Sequence, residues 1–425
     1  MTVKRIKAAP GVGLSIIKTE KFKSDFFTLK IYVPLERRTA AEVSLLSRVM
    51  MRGTAKHGTI GELSRYTDML YNLSFSAGVS ANGSMQVLSF RMDFLDDRFV
   101  PKQESVDVLA SAMDFLREFF CEPLLEGEAF SASYTESEKK QLLDRIRGEI
   151  NNKNAYAFKR CRSLMLGDRA AAIDPDGDEE TVAAITPEML YCRFRKLLGE
   201  CHAEALYGGY ADDAAEEKLI AALSEIFAAD RPDTPLPENI PFLPEEGGVR
   251  TVTEETHAKQ GRLILGYSFP YSGEESARAA IFNEIFGGSP ISRLFMNVRE
   301  RLSLCYYCSA SPDLALGALW VRSGVSEENR AAAETEIARQ LADIAAGNVT
   351  DEELEIAKRS FIGAQKTLLD SPGVLGEWYL RRFAIGAPTD AERLIADAEA
   401  VTVKDVAEMA GRVKLCLGYY LRGID

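Results

Sequence analysis

The segment Ala41-Glu42-Val43-Ser44-Leu45-Leu46-Ser47-Arg48-Val49-Met50-Met51-Arg52-Gly53-Thr54 places Val43, Leu46, Val49 and Met50 at helical spacing, which predicts an amphipathic helix stopped by glycine. Upstream, Leu29–Val33 and Pro34 read as a strand that feeds it. On the helix, Ser44 and Arg48 stand at i and i+4, the pair of positions that shares a face, with Ser47 beside them.

The frame from Leu29 through Gly53-Thr54 resembles the insulinase (pitrilysin) family of inverted-motif zinc peptidases. In that family the helix carries H-x-x-E-H and runs through a methionine-rich stretch into Gly-Thr. Aligned on Gly53-Thr54, the five motif positions are Ser44, Leu45, Leu46, Ser47 and Arg48. The family's third ligand is a glutamate seven residues after another acid on a later helix. In Ser137–Ile146 the leading acid survives as Glu138 and the ligand position falls on Arg145. The resemblance therefore implies a degenerate site at Ser44, Ser47, Arg48 and Arg145, with no metal held by this chain.

Composition sets the class. A chain of 425 residues exceeds what one core usually organises, so two domains are expected. The 46% hydrophobic and 27% charged fractions are those of a globular protein. A formal charge of −13 argues against nucleic acid or an anionic membrane surface as partner. The sequence holds no run of roughly 18 apolar residues, and Met1–Pro10 lacks the apolar core of a signal peptide. Seven cysteines without a framework suit a reducing compartment, so a cytoplasmic protein is expected.

An internal repeat sets the architecture. The stretch from Asp230 to Gly248, dense in proline (Pro232, Pro235, Pro237, Pro241 and Pro244), reads as a linker between a domain at 1–230 and another at 249–425, with the linker itself at 231–248. Strand Leu29–Val33 and its helix are matched by strand Leu263–Phe269 and Ala279–Phe286, which ends at Gly287-Gly288-Ser289-Pro290. Helices around Leu109–Phe120 and Glu136–Ile150 are matched by Glu334–Ile344 and Glu352–Leu369, the last opened by a Thr350-x-x-Glu353 box. Thr186-Pro187-Glu188 leading to strand Ala203–Tyr207 is matched by Thr402-x-x-Asp405 leading to Leu415–Leu421. The expected fold is α+β: two copies of a mostly antiparallel sheet with helices packed on one face. The resemblance implies that the two homologous domains enclose a cleft.

The second half keeps a further family signature. The run from Gly288 through Arg299 to Tyr306 resembles the family's substrate-binding segment, in which an arginine and a tyrosine seven residues apart clamp the substrate backbone. A guanidinium and a phenol both donate to a carbonyl or oxyanion, so Arg299 and Tyr306 are the candidate clamp. The bland alternative is an exposed helix arginine and a half-buried strand tyrosine. The stretch Ile150–Cys161 resembles a bacterial subgroup that lacks the zinc motif and is commonly paired with a relative that keeps it.

Other chemistry is sparse. His57, His202 and His257 have no second ligand at metal spacing and read as structural or surface residues. Cys305 and Cys308 form C-x-x-C, but residues three apart in a strand point to opposite faces, so neither chelation nor a redox pair is expected. Ser137 and Lys140 fit S-x-x-K on a charged, solvated helix, and Gly11-Val12-Gly13 reads as a turn. The acidic run at 175–180 reads as a loop charge cluster.

These readings lead to a catalytically silent insulinase-like subunit. It binds no cofactor of its own and pairs with a zinc-bearing homologue, or with itself, to form a peptide-processing chamber, lending Arg299 and Tyr306 in trans. The rival expectations are a non-catalytic binding or assembly module and a peptidase that uses non-standard residues.

Overall fold

Two sets of strands, the central ones buried along nearly their whole length, build two sheets. In this computed structural model, residues 2–101, 103–104, 106–244 and 248–424 are described, so residues 245–247 of the expected linker lie outside them. The chain divides into two compact units.

Unit 1 comprises Met1–Arg147, Ile173–Glu238 and Asp370–Leu380. Its strands are β1 (Thr2–Ala9), β2 (Val12–Lys18), β3 (Ser24–Pro34), β4 (Ser74–Asn82) and β5 (Met85–Leu95). A short β6–β7 hairpin (Leu125–Glu126, Ala129–Phe130) and β8 (His202–Gly209) complete the set. The six-stranded sheet has the order β1-β2-β8-β3-β5-β4, with β2 and β8 parallel and the other pairs antiparallel. Gly11, the turn glycine between β1 and β2, has φ +64° and its N–H donates to Asp233 Oδ1 at 2.6 Å.

Alternation in β3 separates two faces. Phe27, Leu29, Ile31 and Val33 join the main core. Helices α1 (Arg37–Met50), α2 (Ile60–Met69), α3 (Val108–Cys121), α4 (Ala132–Gly148), α6 (Glu179–Ala183), α7 (Pro187–Glu200) and α8 (Asp213–Ile226) belong to this unit. Within it α1 packs on β4, α6 and α7, and α3 packs on β5 and α8. On the opposite face Lys30 is buried and its Nζ donates to both oxygens of Glu377 at 2.7 Å, while the Tyr379 hydroxyl donates to Ser15 Oγ at 3.2 Å. The segment 370–380 thus covers part of a sheet encoded more than three hundred residues earlier.

Unit 2 comprises Gly148–Ala172, Asn239–Leu369 and Arg381–Asp425. Strands β9 (Arg250–Thr256), β10 (Gly261–Ser268), β11 (Cys305–Asp313), β12 (Ala318–Val325) and β13 (Lys414–Gly423) form a sheet of order β11-β12-β10-β13-β9, parallel only between β13 and β9. Helix α5 (Lys153–Leu166), from the N-terminal half of the chain, covers one face. Its Ala157, Cys161 and Met165 pack with Ile264, Trp320 and Tyr419, and Phe158 meets Trp320 edge-on at 5.2 Å. Helices α9 (Ser276–Asn283), α10 (Glu327–Ala345), α11 (Asp351–Leu368), α13 (Ala391–Glu399) and α14 (Val403–Gly411) complete the unit, and α12 (Pro372–Ala384) carries the chain from unit 1 back into it.

Each unit is the mostly antiparallel sheet with packed helices that the sequence predicts, and Thr350, Thr402 and Thr186 cap the helices they were expected to cap. The compact units cross the contiguous partition at 231–248 twice, because α5 and the segment 370–380 each join the sheet of the other half. Hydrophobic period identifies a helix without saying which sheet it covers. Among the described residues no helix is long and apolar enough to cross a membrane.

Candidate functional site

Helix α1 follows β3 directly, with Glu36 as its N-cap, and buries all but one edge of its surface. On that edge the degenerate motif positions converge. Ser44, Ser47, Arg48 and Arg52 of α1 face Glu138 and Arg145 of α4 around a cavity of about 350 Å³ bordered by Ala77–Val79 of β4. Ser44 is fully buried and its hydroxyl donates to Asp176 Oδ1 at 2.6 Å. The Ser47 hydroxyl donates to the Ser44 carbonyl at 2.7 Å. Arg145 forms an ion pair with the same Asp176, and Arg52 forms one with Glu138.

Arg48 is different. It is half-buried, and among the described residues no hydrogen bond or ion pair engages it. Burial pushes its pKa below the ordinary arginine value, the Arg145 cation pushes the same way, and Asp176 and Glu138 offset part of the effect. Tested against zinc, this donor set fails. One hydroxyl is committed to Asp176, the other to a carbonyl, and two of the three places needing electron-pair donors hold cations. Among the described residues no group of three or more His, Cys, Asp or Glu side chains could hold a metal ion.

Asp176 is the residue that the sequence reading missed. It lies in the acidic run dismissed as a loop cluster, and its partners on α1 and α4 are far away in sequence, so no local spacing marks it. Two of the histidines make structural contacts. His57 Nδ1 lies 2.7 Å from Glu118 Oε1, and its ring stacks on Tyr66 at 4.4 Å, which fixes the exit of α1 after Gly53-Thr54. His202 Nε2 lies 2.7 Å from Glu204 on the central strand β8. Arg5 contacts the same buried carboxylate at 2.7 and 2.8 Å, and hydrogen bonds from His202 and Arg5 hold it below the usual range against its burial.

In unit 2, Arg299 sits on a π-helical turn, Leu294–Arg301. Its guanidinium lies 4.5 Å above the Phe295 ring and 3.5 Å from Glu300. Tyr306 follows on β11, where the ladder slips: Cys305 is opposite Val325 and Tyr307 is opposite Gly324. Tyr306 is therefore the extra residue of a β-bulge, and its side chain is 77% exposed. No hydrogen bond joins Arg299 to Tyr306 among the described residues. The bulge also corrects the reading of the C-x-x-C pair. An inserted residue shifts the alternation by one, so Cys305 and Cys308 come to the same face. The Cys308 thiol, donating to Cys305 Sγ, holds the Cys305 thiol down to about 7, with help from the Arg299 charge and against its burial. Cys308 itself is buried and pushed up.

Comparison with known proteins agrees with this geometry. The peptidase M16 inactive domain family matches residues 185–361. A Bacillus subtilis (strain 168) protein named probable inactive metalloprotease YmfF is 28% identical over 417 residues, covering 98% of this chain and 96% of its own length. The chain is similar to insulinase-like (peptidase M16) proteins of the inactive kind, and its own motif positions carry no zinc ligands. The insulinase-like chain superposes on a conserved protein from Enterococcus faecalis V583 with TM-score 0.90 at 27% identity, covering 100% of this chain and 99% of that one. A peptidase M16 inactive domain structure from Pseudomonas fluorescens shares the fold with TM-score 0.79 at 18% identity, covering 100% and 99%.

Proposed function

We propose that the insulinase-like chain is a catalytically silent subunit that assembles with a zinc-bearing homologue to form a peptide-processing chamber and lends it Arg299 and Tyr306. The observation that carries this reading is the bulge at Tyr306. A strand that only packed would hold its tyrosine in register, whereas here an extra residue turns the phenol out to solvent seven residues after Arg299. Tyr306 is exposed and Arg299 partly so, while the metal positions hold Ser44, an Arg48 unpaired among the described residues, and Arg145 in an ion pair with Asp176.

The zinc, bound by the homologue, would supply Lewis acidity and an activated water. The role of this chain is positioning and charge stabilisation. The Tyr306 hydroxyl and the Arg299 guanidinium donate hydrogen bonds to a peptide carbonyl oxygen, and those bonds strengthen as negative charge develops on it. Such donors can come from across a subunit interface, whereas zinc ligands must share one rigid frame. A cytoplasmic location and a peptide ligand belong to the same reading.

Kinetics of the reconstituted pair test it. Arg299→Ala or Tyr306→Phe should lower kcat/KM by roughly 10²–10³, the usual loss for one such donor, with assembly affinity unchanged. Wild-type turnover in both variants at equal complex occupancy would leave the chain as a binding or assembly module.

A further inference from the structure

The pocket that lost its metal ligands has the chemistry of an anion site. Three guanidiniums, from Arg48, Arg52 and Arg145, and two carboxylates, from Glu138 and Asp176, meet in and beside it. Arg52 is taken by Glu138 and Arg145 by Asp176, which leaves the Arg48 charge over. A half-buried arginine is normally paired, because removing a cation from water without a counter-charge is costly. Here α1 and α4 hold Arg48 beside Arg145, and the two offsetting carboxylates are already committed elsewhere.

We infer that this cavity binds a carboxylate, with Arg48 as its recognition residue. One unmatched positive charge calls for a monoanion, and a planar guanidinium matches a carboxylate in a two-point fork. The volume of about 350 Å³ admits a side chain or a chain end and excludes a folded partner. The cavity is bordered by β4, the outermost strand of its sheet, whose outer backbone groups have no strand partner among the described residues of unit 1. An extended peptide can align along such an edge. The ligand is therefore the carboxylate of a peptide, either an Asp or Glu side chain or a free C-terminus. The pocket that held a dication in zinc-bearing relatives would thus have reversed its charge preference while still facing peptide.

The inference concerns this chain alone and does not depend on pairing with a zinc-bearing homologue. The test passes a pool of randomised nonapeptides, half with free and half with amidated C-termini, over the immobilised full chain at low salt, and reads the retained peptides by mass spectrometry. Wild type should enrich carboxylate-bearing peptides at least threefold, and 0.5 M NaCl should abolish the preference. Enrichment of Asp and Glu in both halves of the pool identifies a side-chain ligand, and enrichment of free over amidated ends identifies a C-terminus. Arg48→Gln should lose the preference, Arg48→Lys should keep only part of it because the fork is gone, and Arg339→Gln, on the surface of α10, should keep it all. Arg48→Gln should melt no lower than wild type, since the side chain it removes has no partner. Retention without acid enrichment, no retention at all, or equal enrichment by Arg48→Gln would overturn the inference.

Discussion

Arg48 and Asp176 mark how far single residues could be read from the sequence. Ser44, Ser47, Arg48 and Arg145, which alignment on Gly53-Thr54 picks out from local signals, line one cavity in the fold. Asp176, which ties Ser44 to Arg145, comes from a loop whose approach depends on packing, so nothing near it in sequence reveals its role. Asp25 is a similar case. It lies buried on β3 beside the Tyr207 hydroxyl, and burial pushes its carboxyl up to about 7, against the hydrogen bond from Tyr207. The folded chain then keeps a proton that the unfolded chain releases at about pH 4, the ordinary aspartate range. The stabilisation from that proton is complete below the unfolded pKa and is lost as pH rises through the folded one. Urea unfolding at several pH values should show wild-type stability falling between about pH 4 and 7 relative to Asp25→Asn, and level above that. Parallel curves for the two proteins would exclude the raised carboxyl.

At the scale of elements, what can be read follows how local the determinant is. The N-caps at Thr186, Thr350 and Thr402 are written in three or four consecutive residues and stand where expected. The bulge in β11 is not written locally, because it is set by pairing with β12 and inserts a residue that alternation alone would never place. The same slip turns Tyr306 outward and puts Cys305 beside Cys308, where alternation alone would set them on opposite faces. Cys305 is partly accessible and Cys308 is buried, so alkylation should distinguish them. Iodoacetamide should label Cys305 first, with a rate that rises through a midpoint near pH 7, since the thiolate is the reactive form. Cys308→Ala removes the donor to Cys305 Sγ and should move that midpoint up toward the ordinary cysteine value. A wild-type midpoint already at about 8.5, the unperturbed thiol value, would mean that the two thiols do not interact.

For the whole molecule, the duplication was legible because order, length and caps recur in both halves. The exchange of α5 and the segment 370–380 was not, because hydrophobic period marks a helix without saying which half's sheet it covers. Ser15, Phe26, Lys30 and Arg91 in unit 1 need that segment to cover them. An arginine-lined pocket at the motif positions, a tyrosine turned outward by a bulge and the fold shared with M16 proteins are what the proposed reading joins into a silent subunit that holds peptide. Peptide turnover by the purified chain, by a zinc-bearing homologue and by their equimolar mixture tests this most directly. The account predicts no cleavage by the chain alone and a mixture that exceeds the homologue alone by roughly the 10²-fold or more that transition-state donors contribute. Chelator-sensitive cleavage by the chain alone, or a homologue as fast alone as in the mixture, would contradict it.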